Sequence, residues 1–504
     1  MLATTHSSTL VGLEAHPVLV EVEIARGMPC FDLVGLPEAS VKESRVRVRS
    51  ALDQLGFPFP ARRVTVNLAP ADVRKYGAGF DLAIALAILA ASNECPTERL
   101  GDWMLIGELS LTGALRTVRG VLAQVLCARK RGFKGVIVPA PNAPEASVVE
   151  GLDVRAAECL RDVVEFFSAG KDLPPAPAAV SSPPGDLPVD LADVRGQQAA
   201  KRALELAAAG GHNVLFVGPP GAGKTMLARS MPALLPPMTF EQAIEVTAIH
   251  SVAGLLRPGM SVVDHRPFRA PHHTASTVGL VGGGEPPRPG EIALAHHGVL
   301  FLDELPEFPR DALEALREPL EDGAVTIVRA RNRATFPARF MLLAAMNPCP
   351  CGFYRDGTER CACSDERVRR YRGRVSGPLL DRIDLYVPLP SVRIAQLGEP
   401  GEGPTSADVR ARVTAARAVQ LSRPDNGGDC NARVSPRSLK DIASLGADAR
   451  TLLTTASERM GLSARAATRV LRVARTVADL EGDQEVTATH LAEALGYRTP
   501  TSGT

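Results

Sequence analysis

Hydrophobic and polar positions alternate with period two over VLVEVEIA (18–25) and RVTVNLAP (63–70), which predicts two half-buried strands. Apolar positions recur at helical spacing over 40–55, 81–91 and 122–131, so the first third of the chain reads as an α+β domain. Three later runs, VLFVG (214–218), GVLFLDE (298–304) and FMLLAAMN (340–347), are apolar almost throughout, the pattern of parallel strands buried on both faces. Beyond 406 the period is helical: 407–422, 436–445, 448–460 with Gly461 as C-cap, 463–480 and 487–495. Two aperiodic stretches punctuate this pattern, KDLPPAPAAVSSPPGDLPV (171–189) and QLGEPGEGPTS (396–406). The predicted division is an N-terminal domain over 1–170, a Pro-rich linker over 171–189, a doubly wound α/β core over 190–395 and a helical domain over 396–504.

Composition narrows the functional classes. With 57 basic and 56 acidic residues the chain has no global basic field, so any nucleic-acid site must be local. Its 45% hydrophobic content supplies real cores and excludes disorder throughout. The longest apolar run, 82–91, falls far short of the roughly 20 residues of a membrane helix, so no membrane association is expected. The N-terminus MLATTHSSTLVGLEAH lacks the basic and long apolar regions of a secretory signal. A cytoplasmic location follows, with the nine cysteines in a reducing compartment. Aromatics are only 4%, too few for a base-stacking platform.

Residues 218–225, GPPGAGKT, satisfy the P-loop pattern between an apolar strand and a helical stretch (226–235). In such a loop the backbone of Gly218, Pro219, Pro220, Gly221, Ala222 and Gly223 wraps the phosphates of ATP. Lys224 reaches the β- and γ-oxygens and the Thr225 hydroxyl ligates Mg2+. Asp303 and Glu304 end the strand 298–304, where Asp303 would hold magnesium and Glu304 would polarise the attacking water. Asn347 ends the next strand and suits contact with the γ-phosphate or that water.

Three further groups stand out. Cys349, Cys351, Cys361 and Cys363 form a C-x-C pair, nine residues, and a second C-x-C pair. Four soft thiolates closing a short polar loop suit tetrahedral Zn2+, with an iron–sulfur cluster as the other soft-ligand option and a small-residue core as the plain alternative. His272/His273 and His296/His297 are expected in structural hydrogen bonds or subunit contacts. Arg329, Arg331 and Arg333 alternate along 322–336, placing them on one strand face by period two, where they either grip phosphates or form a solvated face.

The order GPPGAGKT, FLDE, Asn347, SGPLLDRIDL (376–385) and SARAATRVLRVAR (463–475) resembles an AAA+ ATPase of the helix-2-insert clade. FRAPHHTASTVGLVGGG (268–284), PRPGEIALAHHGVLFLDELPEF (287–308) and FDLVGLPEASVKESRVRVRSAL (31–52) resemble the magnesium-chelatase-like YifB/ComM family over essentially the whole chain. The resemblance implies an N-terminal Lon-protease-like domain of ribosomal S5 domain-2 type, a P-loop AAA+ core and a C-terminal helical lid. It implies that Arg382 is a trans arginine finger and Arg465 sensor 2, with Arg469 the second choice one turn later. It places 322–336 as a pore hairpin, and a helix-2 insert carrying Arg257 at about 244–265.

Proteolytic relatives carry a Ser after the KxG segment and a Lys on the next long helix. Here KYGAGFDLAIA has no serine, Ser92 lies too far along, Gln124 stands where the lysine is expected and Lys130 sits near the helix end. The domain is therefore expected not to cut. The resemblance further implies a hexameric ATP-driven helicase or branch-migration motor on branched or single-stranded DNA, acting in natural transformation and homologous recombination beside recombination proteins. The alternative is a magnesium-chelatase-type or MoxR-like ATPase that remodels a protein partner.

Overall fold

The computed structural model describes residues 1–177, 189–257, 259–329, 332–356, 359–391, 403–424 and 429–498. The expected linker residues 178–188, Arg331 and the segment 396–402 lie outside the described residues.

The N-terminal domain is built on a seven-stranded mixed sheet. Its order is Cys30–Val34, Arg63–Ala69, Glu14–Ala25, Leu2–Val11, Trp103–Leu105, Gly135–Pro139 and Asp153–Ala157. The period-two pattern does what it predicts: Val20, Val22, Val64, Val66 and Leu68 are fully buried, with Val22 opposite Val66 and Val20 opposite Leu68. The first strand, Leu2–Val11, escapes hydrophobic patterning because it buries Thr5, Ser7, Ser8 and Thr9. Most of these hydroxyls find partners: Thr5 Oγ1 donates to the Ala83 carbonyl (3.0 Å), and Thr9 Oγ1 accepts the Tyr76 N–H (3.1 Å). The helix expected over 40–55 is split at Glu43 into Ala39–Lys42 and Ser44–Gln54. Helix Asp81–Ala91 is buried on every side. The domain continues past residue 170: Leu173 joins its core and the Ala176 N–H donates to the Val154 carbonyl.

The second unit is a five-stranded parallel sheet in the order Phe268–Arg269, Val299–Leu302, Met341–Met346, Val214–Val217, Leu385–Pro388. Successive residues of each central strand face different cores. Val214, Phe216, Val299, Phe301, Leu343 and Ala345 pack with the C-terminal helices. Leu215, Leu300, Leu302, Leu342 and Ala344 pack with the layer over 292–338. Each such side chain contributes about 1.5–3 kcal/mol on burial, so the near-continuous apolar runs are the cost-free way to fill both faces. The helices Ser406–Ser422, Pro436–Ile442, Ala447–Met460, Ala464–Glu481 and Ala488–Gly496 thus share a core with the sheet. Gly461 caps Ala447–Met460 at φ +62°, and the Ser463 hydroxyl accepts the Ala466 N–H at the next start. No described helix is long and apolar enough to cross a membrane.

The two units touch through a buried carboxylate. Glu145 of the N-terminal domain accepts from Ser251 Oγ (2.6 Å), near the end of helix Phe240–Ala253, and from Asn142 Nδ2 (2.6 Å). Burial pushes the Glu145 carboxyl up from the ordinary range, opposed by these hydrogen bonds. Ser251→Ala leaves one carboxylate oxygen without its hydroxyl donor, and we expect it to cost about 1–3 kcal/mol, read as a lower urea midpoint for unfolding.

Candidate active site

Strand Val214–Val217 delivers the chain into the P-loop, and helix Lys224–Leu234 leaves it. Gly221 and Gly223 adopt φ +79° and +86°, which turns the loop back on itself; a side chain at either position would be strained. The helix begins at Lys224, so its unpaired N–H groups and positive dipole end face the site. Lys224 Nζ donates to the carbonyls of Gly218 (2.7 Å) and Pro219 (2.9 Å) and to Asn347 Oδ1 (2.9 Å). Burial pulls the Lys224 ammonium down from its ordinary range, against the opposite pull of Asp303 and Glu304.

Asp303 and Glu304 follow strand Val299–Leu302 directly. Thr225 Oγ1 donates to Asp303 Oδ2 (2.9 Å), which sets a hydroxyl and a carboxylate side by side. These are the hard oxygen donors that suit magnesium. Glu304 has φ +52°, an uncommon conformation for a residue with a side chain, and its N–H donates to Asp303 Oδ1 (2.9 Å). His273 Nδ1 lies 3.2 Å from Glu304 Oε2. Lys224, Thr225, Asp303, Glu304 and Asn347 therefore converge at the carboxyl ends of adjacent parallel strands, where α/β sheets place their ligands. His273 was not anticipated there; the signal was its position a few residues after the edge strand Phe268–Arg269, in a segment with no apolar period of its own.

Residues 190–397 match the family described as magnesium chelatase, subunit ChlI; residues 20–142 match subunit ChlI of Mg-chelatase; and residues 403–498 match its C-terminal part. The chain is 47% identical to competence protein ComM of Haemophilus influenzae, over 99% of this chain and 97% of that protein. It is 45% identical to YifB of Escherichia coli K12, again over 99% and 97%. The chain belongs to the magnesium-chelatase-like YifB/ComM family. A lower similarity, 29% over 168 residues and covering 31% of this chain and 21% of the relative, links it to a Lon protease of Mycolicibacterium smegmatis.

In this YifB/ComM chain Arg382, expected to act on a neighbouring subunit's nucleotide, and Arg465, expected as sensor 2, both lie away from the chain's own P-loop. Arg382 precedes strand Leu385–Pro388 and is only 9% exposed. Its Nε donates to the Arg317 carbonyl (3.2 Å), its Nη1 to the Pro378 carbonyl (2.7 Å), and Glu321 pairs with it. Arg465, in the first turn of Ala464–Glu481, lines with Arg382, Arg469 and Arg472 a cleft of about 470 Å3 that also touches Asn213. Asn213 immediately precedes the strand whose other end leads into the P-loop, so Arg465 lies beside Arg382 at the entering ends of the strands, opposite the carboxyl ends that hold Lys224.

The arginine-bearing segment is a two-stranded hairpin, Ala324–Arg329 with Asn332–Pro337. This corrects the single-face expectation. Arg333 pairs with Val328, not Arg329, so Arg329 and Arg333 project from opposite faces near the tip, and both are exposed. The range 244–265, expected to hold the helix-2 insert, contains no strand pair among the described residues. Residues up to 253 complete helix Phe240–Ala253, whose end is buried against the N-terminal domain, while Arg257 is exposed beyond it. A helix broken by a hairpin occurs instead at 277–294: Thr277–Val281, the pair Gly282–Gly283 with Arg288–Pro289, then Glu291–Leu294. Three consecutive glycines and three prolines break it. Gly283 packs near the Arg329 guanidinium, so exposed Arg288 joins the basic hairpins, a residue the alternation pattern does not reach.

The protease-like domain holds no Ser–Lys pair among the described residues. Gln124 accepts from Ser8 Oγ (2.9 Å) and donates to the Arg119 carbonyl (3.3 Å). Lys75 is buried and donates to the Pro70 carbonyl, Lys130 is exposed, and Ser92 Oγ donates to the Ile88 carbonyl. The histidine pairs are largely structural. His296 Nδ1 accepts the Arg339 N–H (2.9 Å), so its Nε2 carries the proton donated to Glu245 (3.0 Å), and His297 Nε2 contacts the same carboxylate (2.8 Å). The four cysteine sulfurs gather into one cluster, all within 4.8 Å of one another.

Proposed function

We propose that the protein is a ring-forming ATPase that converts ATP hydrolysis into movement on DNA, in helicase or branch-migration work of natural transformation and recombination. The observation that carries the ATPase part is the convergence of Lys224, Thr225, Asp303, Glu304 and Asn347 at the carboxyl ends of adjacent parallel strands. The P-loop N–H groups and Lys224 hold the β- and γ-phosphates, and Asn347 orients the γ-phosphate or the water. Thr225 and Asp303 would hold magnesium, which when bound neutralises charge shared by the β- and γ-oxygens. Glu304 accepts a proton as the water oxygen bonds to the γ-phosphorus and the bond to the ADP oxygen breaks. Arg382 and Arg465, set at the entering ends of the strands, would serve a neighbouring subunit's nucleotide, which makes ring assembly a condition of turnover.

The DNA part is supported by the exposed Arg288, Arg329 and Arg333 on adjoining hairpins and by the name of the competence protein that is 47% identical. Guanidinium groups on hairpin tips suit phosphates, a contact without sequence preference. The deciding experiment compares ATP turnover with and without branched DNA, and follows strand migration; a rate indifferent to DNA, with no migration, favours a protein-remodelling role. We expect Arg329→Ala/Arg333→Ala to weaken DNA binding and to lower the salt dependence of log K by about 0.9 per lost phosphate contact, with basal ATPase unchanged.

A further inference from the structure

We propose that Cys349, Cys351, Cys361 and Cys363 bind one zinc ion as a tetrathiolate, and that this centre fixes the loop bracing the P-loop from Pro220 and Asn347. The sulfurs of Cys349 and Cys351 lie 3.3 Å apart, Cys349 and Cys361 3.8 Å, and Cys351 and Cys361 3.6 Å. A tetrahedron with zinc–sulfur bonds of about 2.3 Å has edges of about 3.8 Å, so a metal fits with little movement. A disulfide, at about 2.05 Å, would need the sulfurs to close substantially, and its strict geometry is hard to meet across C-x-C.

Arg360 lies over Phe353 and Arg372 over Tyr354, so two guanidiniums rest on the aromatic side chains that follow Cys351. Cys349 is fully buried and the other three are half-buried, as expected of a closed structural site at the base of a surface loop. Binding releases a proton from each thiol that is protonated and requires no redox step.

What the loop touches gives the site its consequence. Gly352, directly after Cys351, has φ +90°, and its N–H donates to the Cys349 carbonyl (3.0 Å). It sits so tightly on the P-loop that an added Cβ would come within 2.6 Å of Pro220 Cδ. Two residues before Cys349, Asn347 accepts from Lys224, and Arg372 Nε donates to the intervening Pro348 carbonyl (3.1 Å). A metal that ties Cys349 and Cys351 to Cys361 and Cys363 therefore fixes one wall of the P-loop and the residue that meets its lysine. The cysteines are positioning residues in this arrangement. The consequence rests on the nucleotide reading above, whereas metal content does not.

The test begins with metal analysis of the full chain purified without added metal. About one zinc per chain is expected, lost in Cys351→Ser/Cys361→Ser, with cobalt substitution giving the charge-transfer bands of a tetrathiolate centre. Zinc no higher in the wild type than in that variant, or iron with inorganic sulfide in its place, overturns the proposal. Affinity for a fluorescent ATP analogue is then measured for wild type, wild type stripped by a chelator, and the stripped protein after zinc is restored. Stripping is expected to weaken binding by roughly tenfold, with recovery on adding zinc, a rescue available even if the double variant does not fold. Unchanged affinity in the stripped protein overturns the bracing role. Zinc present with no analogue binding in any form overturns the nucleotide reading and leaves the metal assignment supported.

Discussion

Glu304→Gln is expected to lower ATP turnover by about three orders of magnitude while leaving nucleotide binding nearly unchanged. The substitution keeps the shape of the side chain and its capacity for hydrogen bonds but removes the ability to take a proton from water. Glu304 is exposed, 3.2 Å from His273 Nδ1, and held at φ +52° with its N–H on Asp303, so the carboxylate is aimed by the backbone as well as by a neighbour. Such a conformation persists only where surrounding structure enforces it, which favours a chemical role over a solvated acidic pair. Lys224→Ala should behave differently, losing analogue binding along with turnover, because in the proposed function Lys224 would hold phosphate in the ground state. Phosphate release and analogue affinity measured on both variants separate the two roles. Residual turnover above a tenth of wild type in Glu304→Gln would remove Glu304 from the proton-transfer role.

The parts of this architecture that sequence exposes are those where one physical demand dominates. Strands buried on both faces must be apolar throughout, so Val214–Val217, Val299–Leu302 and Met341–Met346 are plain in the pattern, and so are the acidic and amide residues at their ends. Phe268–Arg269 and Leu385–Pro388, the sheet's edges, are too short to show a period. Leu2–Val11 fails for the opposite reason, because hydroxyls satisfied by backbone groups and by Gln124 replace the expected apolar positions. Period two correctly signals extended chain around Arg329 and Arg333 but cannot see that the chain reverses between them, which inverts the face of every later residue. The range expected for the insert begins inside helix Phe240–Ala253, whereas the glycines and prolines at 282–289 mark an interruption between two short helices. Arg465 is legible as a lid-helix arginine, yet its place at the entering ends of the strands depends on how five helices share a core with the strands.

Arg382→Ala is expected to reduce ATP turnover by about 10³-fold, at the lower end of the range for an arginine finger, with analogue affinity preserved. Within one chain Arg382 cannot serve the P-loop, because it stands at the entering end of the sheet, bound to the Arg317 and Pro378 carbonyls and paired with Glu321. Glu321 is about half exposed, so losing its partner leaves no fully buried uncompensated charge and the fold should survive. A head-to-tail ring brings this edge of one subunit to the nucleotide edge of the next, and a phosphate can then compete with Glu321 for the same guanidinium. Mixing distinguishes this from a structural role. Lys224→Ala subunits retain Arg382, and Arg382→Ala subunits retain an intact P-loop; each preparation alone is expected to be inactive. Random co-assembly in equal amounts juxtaposes an intact P-loop with a neighbour's Arg382 at about one quarter of interfaces, so turnover near that fraction should appear on mixing. A mixture as inactive as its components, in rings confirmed by sedimentation to be mixed, would place the effect of Arg382 within its own subunit and remove the requirement for a neighbour.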